Sequence, residues 1–155
     1  MSHLHRLVRI VVNDDAPRRT QILTEERAQA VADLQAENSF GLPGFPGPYV
    51  LHLSIQEGRL VFDVRNADDD PQRILALALG PFRRIIKDYD LLVQSHMTAV
   101  EQGREARIQA IDMGRRGLHN EGAELLIKRL AGRITIDLDT ARRLFTLVCT
   151  LHQRF

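Results

Sequence analysis

The stretch YVLHLSIQEGRLVFDVRN, Tyr49 to Asn66, decides the fold. Tyr49, Leu51, Leu53 and Ile55 alternate with Val50, His52, Ser54 and Gln56. Leu60, Phe62 and Val64 alternate in the same way with Val61, Asp63 and Arg65. A period of two marks strands with one buried face. Glu57 and Gly58 join them as a tight hairpin. Pairing Gln56 with Arg59 sets Leu53 opposite Phe62 and Leu51 opposite Val64. A slip of one residue would turn that apolar set outward, so the pattern specifies its own register. His52 then faces Asp63 on the other side. That arrangement reads first as a polar cross-strand contact, with a catalytic His–Asp pair as the sharper alternative.

Upstream, residues 4–12 are rich in Val, Ile and Leu and end at Asn13-Asp14-Asp15, which predicts another strand and a turn. Residues 16–23 read as a loop. Thr24 reads as a helix cap, with Glu25 and Glu26 in the positive first turn, and Asn38-Ser39 as that helix's end. The segment FGLPGFPGPY, residues 40–49, holds three prolines and three glycines, which excludes helix and sheet.

Downstream, ADDDPQR, residues 67–73, reads as a solvated acidic turn, and residues 74–79 as a further strand. Gly80-Pro81 opens a long helix reaching Gln102. Its expected apolar stripe is Phe82, Ile85, Ile86, Tyr89, Val93, His96 and Val100. A second helical region covers residues 104–131, with Gly132 as its stop. Residues 134–138 read as a short strand. Asp139 then caps a last helix bearing Ala141, Leu144, Phe145, Val148, Leu151 and Phe155. Leu147 makes this helix apolar on more than one side, and Cys149 adjoins the stripe as a packed thiol. The expectation is one domain over residues 1–155, of α+β class: an antiparallel sheet with several helices packed on it.

Composition is ordinary for a globular chain, at 44% hydrophobic and 26% charged residues. A formal net charge of +1 argues against a general phosphate-backbone binder. No RNP-like basic–aromatic pattern appears and Trp is absent, so nucleic acid is not the expected partner. A single cysteine excludes a disulfide framework. None of the six histidines has a partner at metal-ligand spacing, so neither metal nor cofactor is expected. The N-terminus lacks an apolar signal core, and no stretch approaches the length of a membrane span. The expectation is a cytoplasmic protein.

The sharpest functional signal is AIDMGRRGLHNEGAELL, residues 110–126, where Gly114, Gly117 and Gly122 sit inside one helical region. Glycine costs about 1 kcal/mol relative to alanine in a helix, so these positions need a reason. If the helix is continuous, Gly114, Leu118 and Gly122 form a row that lets another helix approach. Asp112 then pairs with Arg116. If it breaks near Gly117, Asn120 caps a new helix whose free N–H groups, with Arg115, Arg116 and His119, form an anion site. His119 would supply acid–base chemistry there, with Glu121 or Glu124 as the base. Arg83, Arg84 and Lys87 would extend the site if the two helices are adjacent. The first reading makes the chain an interaction protein, such as a homodimer built on a helix interface. The second makes it a binder of a small phosphate or carboxylate ligand. A weaker third reading is an RNA-associated regulator using Arg83 to Lys87. No nucleophile elbow, P-loop, dinucleotide fingerprint, zincin or EF-hand motif is present.

Five stretches carry a resemblance: AENSFG (36–41), GPYVLHLSI (47–55), PFRRIIKDY (81–89), the 110–126 motif, and DLDTARRLFTLVCTLH (137–152). Together the chain resembles a family of small alphaproteobacterial proteins, the uncharacterised protein family UPF0262. The resemblance implies a bacterial cytoplasmic protein and brings no catalytic residues with it.

Overall fold

The computed structural model describes residues 4–14 and 21–152. In chain order these form β1 (Leu7–Val12), α1 (Gln21–Ala36), β2 (Phe40–Gly41), β3 (Tyr49–Gln56), β4 (Arg59–Asn66), β5 (Pro71–Ala78), a 3-10 turn (Gly80–Phe82), α2 (Arg83–Glu101), α3 (Glu105–Leu130), β6 (Thr135–Ile136) and α4 (Leu138–Leu151). The class is α+β.

The β3–β4 hairpin has the register that its apolar pattern dictates: Gln56 opposite Arg59, Leu53 opposite Phe62, Leu51 opposite Val64, His52 opposite Asp63. Glu57 and Gly58 both take positive φ, 52° and 74°. That pair of values matches the right-handed twist of a two-residue hairpin, and glycine supplies the second at no steric cost. β5 pairs antiparallel with β4, and β1 pairs parallel with β3, giving the order β1-β3-β4-β5. The sheet is therefore antiparallel apart from its β1 edge. A parallel neighbour needs a crossover connection, and α1 lies within the one that links β1 to β3.

Leu51, Leu53, Leu60, Phe62, Val64, Leu75 and Leu77 are buried on one face and join a single contiguous core with the helices. α4 is the centre of the helical layer. It packs against both α1 and α3, while α2 packs against α3. Leu144, Phe145, Leu147, Val148 and Cys149 are all fully buried, which accounts for a helix that is apolar on more than one side. Phe155 lies outside the described residues.

Several boundaries differ from the sequence reading. α1 is already helical at Gln21, so Thr24 lies inside it and is not its cap; residues 16–20 of the expected loop are outside the described residues. The Pro/Gly segment is not wholly free of sheet: Phe40 and Gly41 pair with Ile136 and Thr135. A polar residue explains the geometry. Asn38 donates to the carbonyls of Leu34 and Leu7 and accepts from Leu7 N–H. It thereby ends α1, ties it to β1 and aims the chain toward β6. β5 takes in Pro71, Gln72 and Arg73 from the expected acidic turn. Val100 is 54% exposed and Ala99 is buried in its place. Asp137, not Asp139, caps α4, accepting from Thr140 N–H at 2.9 Å.

α3 runs unbroken for 26 residues through all three of its glycines. A break at Gly117 with Asn120 as a cap is therefore excluded. Gly122 explains itself by contact: a Cβ there would lie 2.5 Å from Phe145 Cδ1, Cε1 and Cγ. At Gly114 the neighbour is Leu92 Cδ1, 3.3 Å away, and at Gly117 nothing lies within 4 Å. Gly122→Ala should accordingly lose about 2 kcal/mol from overpacking, partly regained when Phe145→Leu is added. Gly117→Ala should gain up to about 1 kcal/mol from helix propensity. Urea unfolding of the three variants checks this; equal effects at Gly117 and Gly122 would refute the close approach.

Candidate functional site

His119 projects from the middle of α3 into the join of three helices. Its ring stacks on Tyr89 of α2, centroids 5.3 Å apart, and meets the Phe145 ring of α4 edge-on at 6.4 Å. Its Nε2 lies 3.4 Å from Thr146 Oγ1, which in turn donates to the Arg142 carbonyl. On the open side, His119, Thr146, Arg142, Arg143 and Asp139 line a cleft of about 160 Å³. Arg142 Nη1 is 3.9 Å from Asp139 Oδ1, a loose pair whose carboxylate is mostly exposed. Arg142 Nε is buried without a hydrogen-bond partner.

Behind His119 is a polar seam. Glu26 of α1 accepts from the Tyr89 hydroxyl and from Arg115. Arg115 Nη1 is also 3.6 Å from Asp112, which lies 3.8 Å from His96 Nε2. Burial raises the Glu26 pKa above its ordinary 4.5; Arg115 opposes the rise and Asp112 adds to it. Burial, with the positive charges of Arg115 and Arg142 acting in the same direction, lowers the His119 pKa from 6.5 to about 4. Desolvation is thus the leading cause in both groups and favours their neutral forms. Burial likewise raises the Cys149 pKa, which fits a packed thiol and not a nucleophile.

The residues singled out in the sequence disperse. Arg115 turns inward to Glu26 and is half-buried. Asp112 takes Arg115 where Arg116 was expected, and Arg116 is exposed. Glu121 pairs with Arg84, which also holds Asp88 at 3.1 Å. That pairing shows α2 and α3 to be adjacent, but it neutralises both Arg84 and Glu121. Glu124 lines a different cavity with Arg84 and Lys128. Asn120, Arg83 and Lys87 are exposed, and none of them lines the His119 cleft. Of the original cluster only His119 reaches it. The other lining residues come from α4, where Arg142 and Arg143 sit in the stretch DTARRLF. Two adjacent arginines on a helix otherwise read as core were the available signal. Glu26 and Tyr89 carried no signal apart from their polarity.

On the far face of the sheet, His52 bonds not to Asp63 opposite it but to Asp69, at 2.9 Å. Asn66 Oδ1 accepts from the N–H groups of Asp68 and Asp70 and shapes the loop that brings Asp69 there. Arg65 bridges Asp69 and Asp63 at 3.0 and 2.8 Å, so the polar-contact reading holds with a different carboxylate. Among the described residues, no group of three or more His, Cys, Asp or Glu side chains is placed to hold a metal ion. No helix among them is long and apolar enough to cross a membrane.

Residues 4–154 match the profile of the Uncharacterised protein family UPF0262, and the chain belongs to that family. A UPF0262 protein of Granulibacter bethesdensis is 64% identical over 96% of this chain and 90% of its own length. One from Acidiphilium cryptum is 57% identical over 96% and 93%, and one from Paramagnetospirillum magneticum 48% over 99% of both. No solved structure matches the chain.

The buried imidazole has a consequence for acid stability. Between pH 6.5 and about 4 the unfolded chain binds a proton at His119 that the folded chain refuses. Its contribution to stability is therefore complete above pH 6.5 and is lost as the pH falls toward 4. At 1.36 kcal/mol per pH unit, that interval amounts to ~3 kcal/mol. Glu26 acts with the opposite sign, costing stability above pH 4.5. The stability difference between wild type and His119→Gln should therefore shrink by about that ~3 kcal/mol from pH 7 to pH 4. Parallel stability curves from urea unfolding across that range would show that His119 protonates normally.

Proposed function

We propose that this member of the family binds a small anion, of phosphate or carboxylate class, in the cleft between α3 and α4. His119, Thr146, Arg142 and Arg143 would hold it. The observation that carries the reading is the convergence of two guanidiniums and a neutral imidazole on one small cleft. Paired guanidiniums suit a planar or tetrahedral oxyanion because their N–H forks match its oxygens. The cleft, at about 160 Å³, fits an oxyanion or a short carboxylate better than a nucleotide.

Arg115 supports the site without entering it. Paired with Glu26, it sits behind the imidazole, and its charge helps hold the His119 pKa down. Arg84 and Glu121 are occupied with each other, and neither lines the cleft. The competing interface reading keeps less room. The close-approach face at Gly122 is already filled by Phe145 of the same chain, so a second copy cannot use that notch.

Inorganic phosphate and malonate are suitable first probes. Either should raise the His119 pKa from about 4, because a nearby negative charge favours imidazolium. At a hundredfold excess over Kd, binding should stabilise the fold by about 2.7 kcal/mol. Arg143→Ala should abolish both effects, and Arg116→Ala, away from the cleft, should leave them intact. Histidine-ring NMR titration with a parallel thermal-shift assay reads the outcome. An unmoved His119, or equal losses in the two arginine variants, would overturn the site.

A further inference from the structure

β5 is an edge strand of the four-stranded sheet. The hairpin register fixes which of its backbone groups are free. A two-residue loop makes Gln56 and Arg59 a hydrogen-bonded pair, and pairs alternate from there. Leu60, Phe62 and Val64 therefore point their N–H and C=O groups at β5, where their partners are Leu77, Leu75 and Arg73. The bond from Leu79 N–H to the Gly58 carbonyl continues the same series. Ile74, Ala76 and Ala78 point theirs the other way, off the sheet, and all three residues are exposed.

Next to that edge is a groove of about 430 Å³. Its floor is Ala76 to Ala78 with Pro81, and its opposite wall is Lys128, Arg129 and Arg133 at the end of α3. No carboxylate lines it. Glu121 and Glu124 line the adjoining cavity, which shares Pro81 and Lys128 with it. Cations in a last helical turn suit the helix dipole, but that preference does not place them beside an open strand edge.

We infer that this groove docks an extended acidic segment of a partner protein, added to the sheet as a strand alongside β5. Backbone hydrogen bonds to Ile74, Ala76 and Ala78 would set its register, and carboxylates on its outer side would meet Lys128, Arg129 and Arg133. Small side chains at Ala76 and Ala78 leave the edge open to a neighbouring backbone about 4.8 Å away. Strand addition of this kind draws affinity from the main chain and specificity from the side chains that flank it. Charge selects a foreign acidic strand over a second copy. The β5 sequence PQRILALA has no carboxylate and carries Arg73, so pairing two β5 edges would bring cation against cation.

The test uses the full chain and a fluorescein-labelled octapeptide of alternating glutamate and valine, read by anisotropy at low and moderate salt. The expected result is saturable binding that weakens with salt and is absent for the matching lysine–valine peptide. Arg129→Glu with Arg133→Glu should weaken it by roughly tenfold or more. Ala76→Pro removes an N–H that does not serve β4 and is tolerated at an edge. It should weaken binding similarly while the melting temperature stays near wild type. Arg116→Ala, exposed on α3 and lining neither the groove nor the strand edge, should bind as wild type and serves as the control. Three results would overturn the inference. One is no binding of the acidic peptide. Another is binding insensitive to Ala76→Pro in a folded variant, which reduces the groove to a cationic patch open to any polyanion, including RNA. The third is a concentration-dependent dimer in light scattering that Ala76→Pro abolishes, which assigns the edge to a second copy.

Discussion

The backbone of α3 at Gly122 passes so close to the Phe145 ring of α4 that only hydrogen fits between them. That contact fixes how deeply α4 sinks between α1 and α3, and it explains how a helix with a buried Leu147, Val148 and Cys149 is covered on several sides at once. It also sets the meeting of side chains one turn away. His119 precedes Gly122 by three residues, and Arg142 precedes Phe145 by three. Residues three apart share a helix face, so His119 and Arg142 lie on the same faces as the two contact positions and line one cleft with Thr146. The candidate cleft lies one turn from that close approach. Its precision follows from the rigidity of that contact and not from loop geometry.

The second constraint is electrostatic. Glu26 is removed from water between the Tyr89 hydroxyl and Arg115, and burial dominates its proton affinity. A buried pair of this kind adds little net stability, but removing one partner strands the other and is costly. Arg115 and Arg116 show how one motif divides into two kinds of residue. Adjacent positions on a helix point about 100° apart; one arginine turns into the seam and pairs, the other faces solvent. The density of polar residues around residue 115 therefore reflects structural pairing on one flank of α3 and chemical availability on the other.

The sheet was legible because alternation is local: a period of two, a turn residue and a register penalty all lie within 18 residues of chain. Helix existence was legible for the same reason, from the stripe on α2 and the all-round apolarity of α4. Boundaries were not. The end of α1 depends on Asn38 reaching back to Leu7, 31 residues away, and the cap of α4 falls at Asp137 while Asp139 offers the same chemistry two residues on. The parallel pairing of β1 with β3 left no mark on either strand's pattern. At the site, His119 was identifiable as a polar residue among glycines. Its partners were not, because Glu26, Tyr89 and Arg142 come from three other elements and the pairs Arg84–Glu121 and Arg115–Glu26 are long-range. Spacing on one helix cannot show which arginine already has a carboxylate.

One property of the proposed cleft follows from reciprocity. His119 resists protonation because it is buried and because Arg115 and Arg142 repel a third charge. An anion seated between Arg142 and Arg143 cancels part of that repulsion. By linkage, whatever factor the anion adds to proton affinity, the proton adds to anion affinity. The cleft would then favour ligands that bring a proton with them over fully ionised ones, since a neutral imbalance of two guanidiniums against a dianion and a neutral imidazole leaves the ring's lone pair facing negative charge. Asp139 sharpens the same choice. It stands 3.9 Å from Arg142, so an incoming anion competes with a carboxylate that is mostly solvated and loosely held. A ligand that retains one acidic proton, as hydrogen phosphate or singly ionised malonate does, can donate it to that carboxylate or to the imidazole; a fully ionised ligand cannot.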